Sequence, residues 1–266
     1  MAVQRSSNSV QDDSEARKFE CEQCHDMQYV AKLDDETVVW LGDPRTKDAT
    51  YWAVECDCLK EQRIARMFKS SHITEAFQQL GFRNFVTNGR PACVADAKDA
   101  AAEYLKRFAE IRKTRQNSLA LLGQPGCGKT HLLIAVSNNL LRSGIQVQYF
   151  PWVEGGNELK DDLDKLEAKT KHMKTVDVLY IDDLFKGRNK PTPLMLEQMF
   201  GVINFRSLNH LPILLSSELD MNEICEVDQG LGSRLFQMCR DYTVTMSLTS
   251  QEKANKVQLN YRLKVD

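Results

Sequence analysis

From residue 118 onward, short unbroken apolar runs alternate with longer stretches in which apolar residues recur every three or four positions. Ser118–Leu122, Val147–Phe150, Val176–Ile181, Ile213–Ser216 and Tyr242–Met246 are the runs, and they predict strands. His131–Arg142, Glu158–His172, Pro193–Leu208 and Gly230–Cys239 carry helical spacing. Strands that are apolar on both faces and separated by helices predict an α/β fold, a parallel sheet between layers of helices. Ahead of the first strand, Ala101, Leu105, Phe108 and Ile111 mark Ala95–Ile111 as an amphipathic helix.

The pattern changes upstream. Ile64, Met67, Phe68, Ile73 and Phe77 predict a linking helix from Leu59 to about Gln79, closed by a turn at Gly81. Between Cys21 and Cys58 only short alternating runs occur, Thr37–Trp40 and Tyr51–Val54, which predict small strands with too few apolar residues for a core. The first 18 residues are polar and predict a flexible tail. The expected organisation is therefore a tail (1–18), a small module (19–60), a linker helix and turn (61–94) and an α/β domain (95–266).

Composition narrows the partners. The 266 residues are 27% charged with a net charge of −2, so no overall field draws the chain to nucleic acid or a membrane. Any nucleic-acid contact must come from a local basic patch. No secretory signal and no run of membrane-spanning length is present, which predicts a cytoplasmic protein without a membrane partner. In a reducing compartment the eight cysteines read as metal ligands or buried thiols. Cys21-x-x-Cys24 and Cys56-x-Cys58 supply the four thiolates of a structural Zn²⁺, with His25 an alternative ligand. Cys93, Cys225 and Cys239 read as ordinary thiols. Trp40, Tyr51 and Trp52 are expected to fill the module's interior; the other reading is an aromatic docking surface.

Gly123-Gln124-Pro125-Gly126-Cys127-Gly128-Lys129-Thr130 matches G-x-x-x-x-G-K-[ST] between a predicted strand and a predicted helix, the setting a phosphate loop needs. Its N–H groups line a phosphate-sized concavity, Lys129 reaches the β- and γ-phosphates, and Thr130 offers a hydroxyl to Mg²⁺. The alternative is a glycine turn joining strand to helix. Cys127 reads as a small filler, and His131 adjoins the loop. Some fifty residues on, the apolar run VDVLYIDD ends in Asp182, placed to hold Mg²⁺, and Asp183, placed to polarise an attacking water. A solvated turn is the other reading of this acidic pair. The next apolar strand ends in Ser216, Ser217 and Glu218, where a polar residue can sense the γ-phosphate; for Ser217 a helix cap is the other reading. Arg234, at a helix start, is either a surface arginine or a finger for a neighbouring subunit's γ-phosphate, and Arg262 can fold back on the nucleotide.

In this order the phosphate loop, the Ile181-Asp182-Asp183 strand, the Ser216-Ser217-Glu218 strand end, the Gly232-Ser233-Arg234 helix and Asn260-Tyr261-Arg262 resemble the AAA+ ATPases of the DnaC, DnaI and IstB group. The resemblance runs from about Ser118 to the last residue. Many loaders carry Thr-Ser-Asn where this chain has Ser216-Ser217-Glu218. The resemblance implies an ATP- and Mg²⁺-dependent ATPase that acts as a homo-oligomeric ring or spiral and loads the replicative hexameric helicase onto single-stranded DNA. It makes Asp182 and Asp183 the Walker B pair, Arg234 the arginine finger and Arg262 a second sensor, and it gives the N-terminal module a helicase-docking role. The alternative it carries is an IstB-like regulator that assembles on duplex DNA and recruits a transposase. A small-molecule kinase is the third reading, disfavoured because no lid or acceptor pattern is present.

Two basic stretches remain. Lys165, Lys169, Lys171, His172 and Lys174 are interleaved with Asp161, Asp162, Asp164 and Glu167 and read as a solvated face. Lys186, Arg188 and Lys190 follow the Walker B strand and are expected to track a DNA backbone.

Overall fold

The computed structural model describes residues 19–161, 163–187, 191–255 and 257–263, with backbone alone over 157–161 and 163–165. The tail (1–18), Arg188 and Lys190, together with the side chains of Asp161, Asp162, Asp164 and Lys165, lie outside the described residues. The chain divides into two compact units, Met1–Arg63 and Ile64–Asp266.

In the first unit β1 (Tyr29–Leu33) lies between β2 (Val38–Trp40) and β3 (Tyr51–Glu55), all antiparallel. Its buried apolar residues form two patches, Cys24, Val30 and Cys56 in one and Ala31, Leu33 and Val39 in the other. Contrary to expectation, Tyr51 and Trp52 do not fill this interior; they are 41% and 58% exposed. Trp40 packs on the His25 ring, 4.5 Å between centroids.

The linker is not a separate element. Its helix ends as α1 (Asp57–Ser70), breaks where His72 takes φ 63°, and resumes as the short α2 (Glu75–Gln78). Met67, Ile73 and Phe85 join the second unit's core, so residues from 64 onward belong to it.

That unit is built on a five-stranded parallel sheet, β5-β6-β7-β4-β8: β4 (Leu119–Gly123), β5 (Val147–Pro151), β6 (Val178–Leu184), β7 (Ile213–Ser217) and β8 (Thr243–Met246). Alternation divides each apolar strand between two cores. Leu119, Leu121, Tyr180 and Leu214 face α3 (Ala92–Ile111) and α4 (Lys129–Arg142). Ala120, Leu122, Leu179, Ile181, Ile213 and Leu215 face the opposite layer, which draws buried residues from α6 (Leu163–Thr175), α7 (Pro193–Leu208), α8 (Met221–Val227) and α9 (Gln229–Cys239). Helix α5 (Trp152–Asp161) begins six residues earlier than the sequence pattern suggests, because Gly155 and Gly156 pack inside it: a Cβ on Gly155 would lie 2.5 Å from the Phe150 ring. The short α10 (Ser250–Ala254) follows β8. No described helix is long and apolar enough to cross a membrane.

Strand β7 lies between the phosphate-loop strand β4 and the acid-bearing strand β6. That order is what sets Ser216 between the loop and the two acids.

Candidate nucleotide site and thiol cluster

Gly128 caps α4 with φ 109°, and a Cβ there would strike the Phe85 ring at 2.6 Å. The glycine is therefore required twice, by backbone conformation and by close approach. The Lys129 ammonium donates to the carbonyls of Gly123 (2.6 Å) and Gln124 (3.0 Å), arching the loop around it. Cys127 Sγ is buried against Met246 Sδ at 3.6 Å, as a filler should be. Its carbonyl accepts from Arg90 (2.6 Å), whose guanidinium lies over the rings of Phe85 (5.5 Å) and Tyr261 (5.0 Å). The Tyr261 N–H donates to the Gly126 carbonyl, which brings Arg262 to the same cleft. His131 Nε2 pairs with Gly81 O and Asn84 Oδ1, so it ties the preceding turn to the helix that starts at the loop.

The cleft has a volume of about 290 Å³ and is lined by Pro125, Gly126, Gly128, Lys129, Thr130, Asp183, Lys186 and Glu218 and by Phe77, Leu80, Phe85 and Val86. The lining thus combines phosphate-loop residues and the cations Lys129 and Lys186 with apolar and aromatic side chains, among them Phe85, whose ring packs on Gly128 and His131.

The two acids differ sharply. Asp182 is buried, and its carboxylate accepts from Thr130 Oγ1 (3.1 Å), Tyr180 Oη (2.6 Å), Ser216 Oγ (2.5 Å) and Tyr149 Oη (3.0 Å). Burial, then the adjoining carboxylate, pushes both phenols above their ordinary range, so they stay protonated donors. Asp183 sits at φ 56° with its N–H donating to Ser216 Oγ (2.7 Å), which turns its carboxylate out to the cleft. There Lys186 bridges Asp183 (2.8 Å) and Glu218 (2.9 Å). Lys186 thus belongs to the cleft, not to a DNA-tracking strip as its sequence position suggested.

Ser217 is placed differently from expectation. Its hydroxyl donates to Leu184 O (2.8 Å) and accepts from Leu219 N, inside the sheet. Glu218 lines the cleft instead, while the buried Ser216 bonds Asp182 and the Asp183 N–H. Helix α8 is capped by Asp220 and Glu223, so Ser217 is no helix cap either.

Arg234 is not in this cleft. It donates to Asn204 Oδ1 and Gly230 O, both at 2.7 Å, and lies 4.7 Å from the Phe200 ring centroid. A second cavity surrounds it, lined in part by Arg115, Arg240, Leu208 and Phe236, the last two 71% and 55% exposed. Arg206 is wholly buried and donates to the carbonyls of Met173, Lys174, Val176, Asp177 and Pro212, so it cannot reach another subunit.

In the first unit the thiol sulfurs of Cys21, Cys24, Cys56 and Cys58 converge within 4.8 Å of one another. Cys21–Cys56 is 3.8 Å and Cys24–Cys58 is 3.5 Å. The Cys24 N–H pulls the Cys21 thiol down to about 7, while burial pushes Cys56 and Cys58 up. His25 is not among the converging ligands; it stacks on Phe19.

Tyr149, Tyr180 and Arg90 were not anticipated from the sequence. Tyr180 carried a signal: a phenol two residues before Asp182 in an otherwise aliphatic run shares its face. Arg90 carried none, since its partners are backbone carbonyls and rings far away in sequence.

A phosphate loop, a buried acid tied to its threonine and a second acid facing the cleft, all on this parallel sheet, define a P-loop ATPase of the AAA+ class. The chain belongs to the family described as the bacterial DnaA ATPase domain, whose model matches residues 78–239, and it is an AAA+ ATPase. It is 47% identical over 84% of its length to "Uncharacterized protein YqaM" of Bacillus subtilis strain 168, covering 72% of that protein. It is 43% identical over 94% of its length to the phage-like element PBSX protein XkdC of the same strain, covering 89% of it. Among solved structures it is similar to DnaI (TM-score 0.54, 20% identity, 66% of this chain and 95% of that one) and to the DnaC helicase loader (0.55, 18%, 65% and 100%). It also resembles replication initiator DnaA bound to AMPPCP and single-stranded DNA (0.53, 20%, 72% and 59%). These likenesses establish a DnaC/DnaI-type AAA+ fold.

Proposed function

We propose that this protein is an ATP-driven loader of the replicative hexameric helicase onto single-stranded DNA, acting as a homo-oligomer. The observation that carries the ATPase half is the division of labour between Asp182, locked against Thr130, and Asp183, turned into the cleft. With nucleotide bound, Lys129 would contact the β- and γ-phosphates, Thr130 and Asp182 would hold Mg²⁺, and Asp183 would accept a hydrogen bond from the water aimed at the γ-phosphorus. The magnesium supplies charge neutralisation on the phosphate oxygens. Arg262 reaches the nucleotide in the same subunit. Arg234, outside the cleft and set among exposed apolar side chains, serves the neighbouring subunit's γ-phosphate.

The four thiols fit Zn²⁺. A tetrahedral site with Zn–S of ~2.3 Å has sulfur–sulfur edges of about 3.8 Å, and the two measured pairs are 3.8 and 3.5 Å. Exposed Tyr51 and Trp52 suit a module whose aromatic surface docks on the helicase. The loading half draws on the likeness to structures titled DnaI and DnaC helicase loader.

Reconstitution with the cognate helicase and a single-stranded circle tests the reading. Helicase should remain on the circle only when ATP and this protein are both supplied, and Asp183→Asn should trap the ternary assembly. Assembly on duplex DNA with no helicase bound would favour the transposition regulator instead, and a phosphorylated small-molecule product would favour a kinase.

A further inference from the structure

We infer that Tyr149 and Tyr180 are positioning residues for the reaction, a phenol clamp that fixes the Asp182 carboxylate in the orientation magnesium requires. The inference rests on the reading of Asp182 as the magnesium-holding acid.

The clamp is assembled by the sheet. Residues 180 and 182 share one face of β6 by alternation, and Tyr149 lies directly across from Tyr180 in the parallel β5–β6 register. The two rings stand 5.1 Å apart, and each phenol reaches the carboxylate, Tyr180 on Oδ1 and Tyr149 on Oδ2. Ser216 from β7 and Thr130 from α4 complete the set, so four elements each send one hydroxyl to a single carboxylate.

Their roles are not equivalent. Thr130 would have a second task, because its oxygen could ligate Mg²⁺ while its proton still bonds Asp182. Ser216 also has one, accepting from the Asp183 N–H. Each phenol instead directs its hydroxyl at the carboxylate, Tyr180's also lying beside the Thr130 hydroxyl, and a buried phenol carries a desolvation cost that an accepting carboxylate offsets. With one phenol on each oxygen, the carboxylate plane cannot swing, and its bond to Thr130, which lines the cleft, is held in place.

The test uses the full chain with Tyr149→Phe, Tyr180→Phe and the double variant. ATP turnover is titrated with Mg²⁺ at saturating ATP, nucleotide affinity is measured with a fluorescent ATP analogue in EDTA, and thermal midpoints are recorded. The double variant should raise the half-saturating Mg²⁺ concentration about tenfold, on the order of the effect of one lost charge-assisted hydrogen bond, and leave affinity in EDTA unchanged. A merely structural role would move the melting temperature and leave the Mg²⁺ dependence alone. An unchanged or lowered half-saturating Mg²⁺ in a folded double variant overturns the clamp. If losing the buried Tyr180 hydroxyl prevents folding, the half-buried Tyr149→Phe decides alone, by the same shift in the same direction. Asp182→Asn separates the two levels. Should it keep the wild-type Mg²⁺ dependence, the magnesium reading of Asp182 fails; should it lose that dependence while the tyrosine variants keep theirs, the clamp fails by itself.

Discussion

Between Cys21 and Cys58 the buried apolar side chains come in two patches of three residues, whereas the ATPase unit lays a continuous core against each face of its sheet. At ~25 cal/mol per Å² of apolar burial, two such patches cannot offset the entropy of ordering some forty residues. Among the module's described residues the converged thiols have the arrangement that could supply that energy, so on the proposed zinc reading an ion, not a core, would hold the unit together. The ATPase unit has the opposite arrangement: its fold stands on burial, and its cleft lies at the carboxyl ends of the internal strands β4, β6 and β7. On that reading the same chain would carry one unit whose fold depends on a ligand and one whose chemistry does.

The strongest way to break this contrast is to remove the metal. Structural zinc contributes roughly 10–16 kcal/mol to comparable small sites. Cys56→Ser with Cys58→Ser should therefore unfold the first unit, lose the roughly one zinc per chain expected from four thiolates, and leave ATP binding intact. Metal analysis of protein purified without chelator, with circular dichroism and nucleotide titration, checks all three. A zinc-free protein with a folded module would erase the distinction.

Next in size is the dependence of the ATPase unit on a second copy. Arginine fingers contribute about 10³–10⁵ in rate, so Arg234→Ala should bind ATP normally and hydrolyse it at that much lower a rate. Mixing it with Lys129→Ala should restore activity, since the Lys129→Ala chain lends its arginine to a neighbour's intact cleft. A mixture as inactive as its components, though still assembled, would move the finger to Arg240; Arg206 is excluded by its burial.

Arg206 probes the core itself. Arg206→Met would strip five carbonyls of their donor and should cost on the order of 3 kcal/mol, read as a lower urea midpoint for the ATPase unit with the module's zinc content unchanged. An unchanged midpoint would mean that those carbonyls find other partners. The smallest effect belongs to Trp52→Ala. At 58% exposure it should change stability by less than about 0.5 kcal/mol while weakening helicase capture in a pull-down. A marked loss of module stability would return Trp52 to the interior role expected from its sequence.

The same contrast explains what could be read in advance. The five strands and the phosphate loop were legible because unbroken apolar runs and a glycine-rich turn impose their structure locally. Asp182 and Asp183 were legible for the same reason. Helix α5 was misplaced because Gly155 and Gly156 look like breakers, when they serve close packing against Phe150 and Met195. Ser217 and Lys186 were misassigned by position alone: a one-residue step along β7 reverses which face a serine addresses, and the left-handed residues Asp183 and Phe185 fold Lys186 back into the cleft. The tyrosine pair depends on strand register, which no local pattern states.

Nucleotide binding and turnover measured side by side in Lys129→Ala and Asp183→Asn test the central claim most directly. Lys129→Ala should lose affinity for ATP, because the ammonium contacts the bound phosphates. Asp183→Asn should bind as the wild type does and turn over far more slowly, because its carboxylate acts on the water. Wild-type hydrolysis by Asp183→Asn would contradict the account and shift the water-polarising role to Glu218, the other carboxylate that Lys186 holds at the cleft.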